Sequence, residues 1–287
     1  MTLFLQYVVS GLATGCTFAL VATGFVAIYR VTQVVNFAQG AFAVIAGMAA
    51  ASFLHRGVPH VASEALAILV AAAAGLVVGL IAIGRRGTPP LVSLIITLGL
   101  GIGAYAVIIL LWGDQPVSFG GLPGQIRVGG VGVQVQFVLV VVVTALAYGG
   151  LAFFFGRTYL GKALTACSSN PRAARLLGID TRVMGLVAFT LGGALGGLAG
   201  VLLTPLQPVS FDSDVSIAIN GFAAAIFGGI LRPALALVGG LVLGVSEALV
   251  AGYSQASFQS GVALVLMLAL MIWQTGRRPA ALEEQAG

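Results

Sequence analysis

Few side chains in this sequence could carry chemistry, and their spacing excludes most of it. The histidines, His55 and His60, share one short polar stretch, with no nucleophile placed for either to activate. They read as surface polarity. Residues 156–162, GRTYLGK, match the G-x-x-x-x-G-K spacing of a phosphate-binding loop. Ala163 then stands where a Ser or Thr hydroxyl would hold magnesium, and the apolar run before it is far longer than a strand. Residues 99–104, GLGIGA, satisfy a dinucleotide spacing inside another apolar run, where glycines serve to let helices approach. Cys16 and Cys167 are far apart and lack metal-ligand company, so neither a disulfide nor a metal site is expected. No catalytic residue is assigned, and no cofactor is expected on this chain.

A few polar side chains are set among apolar neighbours instead. Asn36 and Gln39 interrupt two apolar runs within residues 30–40, RVTQVVNFAQG. Three positions apart, they share one face of any helix starting there, and Asn36 could cap it. One reading is an ordinary loop before a capped helix. The other is a broken or re-entrant helix lining a polar path, because non-helical backbone at membrane depth is tolerated only beside protein or a cavity. Asn220 opens NGFAAAIFGG, which faintly echoes residues 36–47, NFAQGAFAVIAG, although Ala and Gly are common enough here for chance to produce the echo. Glu247 is the most conspicuous charge inside an apolar run. A carboxylate near mid-membrane costs about 2.5–3.5 kcal/mol on insertion scales. It either lines a path, relays a proton, or is protonated and bonded to a neighbouring helix.

The elements that must position these residues follow from composition. Of 287 residues, 59% are hydrophobic and 7% are charged, against about 25% charged in a soluble domain. The solvent for most of the chain is therefore lipid. Nine apolar segments fall at about 4–29, 37–54, 62–83, 91–112, 134–155, 185–206, 216–231, 234–252 and 257–274. Their length, without strict alternation, makes them helices rather than barrel strands. The first is too long for a signal-peptide core of about 7–15 residues and reads as an uncleaved span. The expected fold is an all-α polytopic integral membrane protein with about eight or nine transmembrane helices, forming one domain over residues 1–287.

Orientation follows from the basic residues, which lie in loops as topology signals and not as a nucleic-acid footprint. With the N-terminus outside, Arg30, Arg85, Arg86, Arg157, Lys162, Arg172, Arg175, Arg182, Arg232, Arg277 and Arg278 fall inside, and Arg56 and Arg127 outside. That split is eleven to two; if 216–231 only dipped into the membrane it would become eight to five. Nine crossings are preferred, with a cytoplasmic tail at about 275–287.

The one sizeable hydrophilic stretch, about 156–184, then falls inside. Asn170 suits an N-cap and Pro171 the first helical position; Arg172, Ala173, Ala174, Arg175, Leu176 and Leu177 can form a short helix, and Gly178 can end it in a left-handed cap. Directly after it, Gly192, Gly196 and Gly200 recur every four residues, favouring close helix packing. A capped helix in so hydrophobic a chain reads as a handle for a soluble partner, with its motion passed directly to the bundle.

Residues 161–202 resemble the cytoplasmic coupling loop and following helix of the branched-chain amino acid ABC-importer permeases, specifically the smaller of their two permease subunits. Asn36-Phe37-Ala38-Gln39-Gly40 is similar to that family's Asn-Phe-Ala-His/Gln-Gly motif. The resemblance continues through Thr97-Leu98-Gly99, residues 221–229 and residues 239–247, in order and over essentially the whole chain. One departure is Ile230-Leu231-Arg232-Pro233, where similar proteins continue after the two glycines with Gly and Ser. The resemblance implies an ABC importer permease bundle in the cell inner membrane. It also implies a second related permease, two cytoplasmic ATPase subunits that carry the ATP and magnesium, and an extracytoplasmic solute-binding protein. Residues 170–178 would couple to an ATPase subunit, and Thr97 joins Asn36, Gln39, Asn220 and Glu247 as candidate translocation-path residues. Leu, Ile and Val are the default cargo, with urea, short amides and other amino acids as alternatives. Outside this family, the competing readings are an ion-coupled secondary transporter or channel using Glu247 with Asp212 or Asp214, and a non-transporting membrane scaffold.

Overall fold

The computed structural model describes residues 2–83, 89–128, 131–227, 232–254 and 259–276. Within them each apolar segment forms a helix, because in lipid only intrahelical bonds can satisfy the backbone of an isolated span. In chain order the elements are α1 (Thr2–Thr32), α2 (Gln39–His55), α3 (His60–Ala82), α4 (Pro90–Trp112), β1 (Gln125–Val128), β2 (Val131–Gln134), α5 (Val135–Arg157), α6 (Tyr159–Ser169), α7 (Pro171–Leu176), α8 (Thr181–Leu203), α9 (Ser213–Phe227), α10 (Pro233–Tyr253) and α11 (Gln259–Gly276).

The helix count differs somewhat from the expected eight or nine crossings. Among the described residues, six helices are long and apolar enough to cross a membrane: α1, α3, α4, α5, α8 and α10. The apolar helices α2 and α9 have 17 and 15 residues, or about 25 and 22 Å, short of a hydrocarbon layer of about 30 Å. The shortening of α2 has a local cause, since the polar residues before Gln39 keep the chain non-helical. Ile230 and Leu231 of the departure and the basic residues Arg85, Arg86, Arg277 and Arg278 lie outside the described residues, whereas Arg232 and Pro233 open α10.

At the centre stands α1, against which α8, α9 and α10 pack, with α5 at its flank. Lipid supplies no hydrophobic drive between helices, so close approach depends on small residues. A methyl on Gly11 would lie 2.7 Å from Val245 Cα, and one on Gly15 would lie 2.9 Å from Leu241 Cα. The α3–α8 contact is built the same way, with a methyl on Gly193 falling 3.0 Å from Gly75 Cα. By contrast α4 exposes Ile102, Leu110 and Leu111, and α5 exposes Val142 and Leu146, the outer surface of a bundle that faces lipid or another membrane subunit. Of the glycines expected to pack α4, only Gly101 meets a neighbour, at Phe37 and Ala38; Gly99 and Gly103 face open space.

One end of the bundle gathers Arg30 of α1, Ser168 of α6 and Pro233 of α10 around a narrow crevice. At the opposite end Trp112 Nε1 donates to Ser52 Oγ at 2.7 Å, and Val117 bridges Val209. The β1–β2 hairpin also lies there and was not foreseen in an all-α reading; its four-residue strands are too short to show a hydrophobic period. A cavity of about 350 Å³ between Tyr7, Ser10, Thr14, Gln207 and Gly252 opens beside it.

Candidate functional site

Two regions hold the residues singled out by sequence. The first is the stretch between α5 and α8, where local capping chemistry sets every joint. Thr158 Oγ1 accepts from Gly161 N at 3.0 Å and starts α6. The phosphate-loop spacing is thereby divided between two helices, Gly156 in α5 and Gly161 and Lys162 in α6. Asn170 Oδ1 accepts from the amides of Arg172 and Ala173, both at 3.0 Å, and starts α7 at Pro171. Leu177 is the C-cap, Gly178 adopts φ 81°, and Ile179 N returns to Ala174 O at 3.1 Å, a left-handed helix ending. Asp180 Oδ1 then accepts from Arg182 N at 2.8 Å and opens α8.

The predicted coupling residues divide by environment. Arg172, Ala173, Arg175, Leu176, Leu177 and Gly178 are exposed, Leu176 at 90% and Leu177 at 78%. Ala174 is not on that face. It is buried with Leu164, Cys167, Met184 and Ala188, because α7 is a short helix laid on α6 and α8 and a small residue is needed where it touches them. The missed element is α6. Its signals were the Thr158 cap and the helical spacing of Leu160, Leu164 and Cys167, of which the last two are buried. Burial, with the nearby Asp180 carboxylate, pushes the Cys167 thiol above its ordinary range.

The second region is the break after α1. Thr32 lies level with Gly185 of α8, whereas Gln39 lies level with Gly192, so residues 33–38 climb back into the bundle by about 10 Å at helical rise. Gln33 makes the reversal with φ 57°. Side chains replace the missing helical bonds. Thr32 Oγ1 accepts from Val34 N at 3.2 Å, and Asn36 Oδ1 from Ala38 N at 3.2 Å. Thr97 Oγ1 of α4 accepts from Phe37 N at 3.4 Å and donates to Val35 O at 3.3 Å. Asn36 therefore closes the turn before α2 and does not cap the helix itself, whose N-cap is Ala38. Gln39 Oε1 accepts from Asn36 Nδ2 at 3.4 Å, and Gln39 Nε2 donates to Gly192 O at 2.9 Å.

The structure thus brings Asn36, Gln39 and Thr97 together in the break, sets Asn220 on α9, which packs against it through Ala218 and Phe222, and leaves Glu247 beside a more distant part of α1. Asn220 is buried within regular α9, so its sequence echo of Asn36 is not a repeated local structure. The two echoes do touch: Phe222 stacks on Phe37 at 6.4 Å and on Phe25 at 5.6 Å. Glu247 is buried on α10, where Gly244, Val245 and Ala248 pack on Gly11. Gly11 is about 20 Å along α1 from Gly24, which abuts Gln39. Phe37 was overlooked by sequence reasoning; it is 41% exposed beside buried Asn36 and Ala38. Chemically the break offers hydrogen-bonded carboxamides, a hydroxyl and an aromatic ring, which suit a conformational element and no bond-making reaction.

Comparison with known proteins gives the chain its relatives. Residues 7–273 match the family described as branched-chain amino acid transport system, permease component. The chain is 31% identical to the high-affinity branched-chain amino acid transport system permease protein BraD of Pseudomonas aeruginosa, covering 94% of each. It is 31% identical to the corresponding LivH of Salmonella typhimurium, covering 95% of this chain and 94% of that one. Among solved structures, PsaBC from Streptococcus pneumoniae in complex with Fab superposes with a TM-score of 0.51 at 16% identity, covering 93% of this chain and 90% of that one. That likeness concerns the fold.

Proposed function

The chain belongs to the branched-chain amino acid transport system permease family, and from that membership we propose how its parts serve transport. It is a multi-pass membrane protein and a transport component, not an enzyme. In our reading it is one permease subunit of an ATP-binding-cassette importer for branched-chain amino acids or related small amino acids and amides. It pairs with a second homologous permease, two cytoplasmic ATPase subunits that hold ATP and magnesium, and an extracytoplasmic solute-binding protein. Its N-terminus lies outside, and its α5–α8 connection faces the cytoplasm as part of a single membrane domain.

The observation that supports this reading is the face of α7. Leu176 and Leu177 stand exposed next to Arg175 on a helix capped at both ends and joined directly to α8. An apolar pair rimmed by positive charge on a rigid peg suits a partner groove with an apolar floor and acidic edge. Co-expression with the ATPase subunits tests it. Leu176→Asp with Leu177→Asp is expected to abolish their co-purification while membrane insertion persists; undiminished co-purification removes α7 from the docking role.

A further inference from the structure

The carboxamide of Gln39 occupies a slot made by glycines of two other helices. The side chain is fully buried at the start of α2, bonded through Nε2 to Gly192 O at 2.9 Å and through Oε1 to Asn36 Nδ2 at 3.4 Å. A methyl on Gly24 of α1 would collide with Nε2. One on Gly192 would lie 3.3 Å from Oε1, and one on Gly196 would lie 3.2 Å from Nε2. The slot holds this amide closely between two helices, a placement that suits a tie between elements.

We propose that Gln39 is a positioning residue whose bond to Gly192 carries movement of α8 to the break at residues 33–38 and to Phe37 upon it. This rests on the functional reading above, in which motion arrives at α7. The mechanical path has few joints. The caps at Gly178 and Asp180 tie α7 to α8, and α8 runs as uninterrupted helix from Thr181 through Gly192, a distance of about 17 Å. Where α8 passes α1, α2 and α3 it presents Gly192, Gly193, Gly196, Gly197 and Gly200, interspersed with the buried side chains of Phe189, Leu195 and Ala199. To that apolar packing the Gln39 amide adds a directional bond that runs from α8 to the start of α2. When α8 shifts, either residues 33–38 follow it or the bond breaks and the buried Gln39 amide loses its acceptor. Both alternatives bias a two-arrangement element, as transmission between distant sites requires.

The experiment uses the complete transporter, this chain with its permease and ATPase subunits, in proteoliposomes supplied with the binding protein. It reads cargo moved per ATP hydrolysed. Gln39→Ala is expected to lower that ratio about tenfold, the scale of one lost buried hydrogen bond, with KM for delivered cargo unchanged. Gly24→Ala, which evicts the amide, is expected to do the same, and the double variant to be no worse than Gln39→Ala alone, because both act on one group. An unaltered ratio, a rise in KM alone, or additive losses in the double variant overturns the proposal. A wild-type complex that moves cargo without its ATPases overturns the functional reading and this proposal with it.

Discussion

Thr97 shows how much of the break rests on single side chains. Its hydroxyl serves Phe37 N, Val35 O and Leu94 O, so Thr97→Val keeps the shape and strands a partly buried amide, which costs about 1 kcal/mol, the low end for a lost partner. A correspondingly lower unfolding midpoint in detergent is expected, and an unchanged midpoint would mean the hydroxyl is dispensable. Asn170 makes a comparable contribution at α7, where both of its bonds are cap bonds. Asn170→Ala is expected to cost about 1 kcal/mol of local helix stability and weaken ATPase co-purification, and Asn170→Ser to restore it; equal binding by all three proteins would refute the cap's role. At this scale the sequence was informative where one residue suffices to make a local structure, as with Asn170, Pro171 and Gly178. It was silent about Phe37, whose exposure depends on what α4 and α9 leave uncovered.

At the scale of elements, α6, α7 and the start of α8 form one unit around Leu164, Cys167, Ala174, Met184 and Ala188. Cys167 reports on its integrity. Alkylating reagents attack the thiolate, and a thiol pushed up by burial and a neighbouring carboxylate supplies less of it at neutral pH. In a Cys16→Ser background Cys167 is expected to label slowly, with a rate still climbing above the ordinary cysteine range of about 8.5, and to label fast once Ala174→Asp splits the unit. Rapid labelling of the intact protein would show that the unit is open. A sequence-based reading recognises α7 by its terminal signals, whereas α6 carries no comparable stop before Asn170 and merges with its surroundings. The same limit hid the shortness of α2. Residues 37–54 are apolar apart from Gln39 and Ser52, and only the contacts of residues 33–38 reveal that the helix starts inside the bundle.

For the whole molecule, composition pointed to lipid, and segment length without strict alternation was enough to choose helices over a closed barrel. Depth and neighbours were not readable, since Asn36, Asn220 and Glu247 look alike as polar residues in apolar runs. Packing separates them, and Glu247 sits with the Gly244–Gly11 contact, away from the break. The isosteric Glu247→Gln change is therefore expected to leave transport ATP-driven and independent of an ion gradient; loss of transport restored by a proton gradient would revive the ion-coupled reading. The central place of α1 carries a further consequence, for biosynthesis. Among the six long apolar helices α1 has the lowest mean hydropathy and the most buried surface, yet it leaves the ribosome before every helix that later surrounds it. The membrane must accept early the least apolar of the six and keep its glycine-lined flanks vacant until α8 and α10 have been made. Assembly is thus a wrapping of late helices around an early one, and a nascent chain halted before α10 would present the notches at Gly11 and Gly15 to whatever insertase or chaperone attends it.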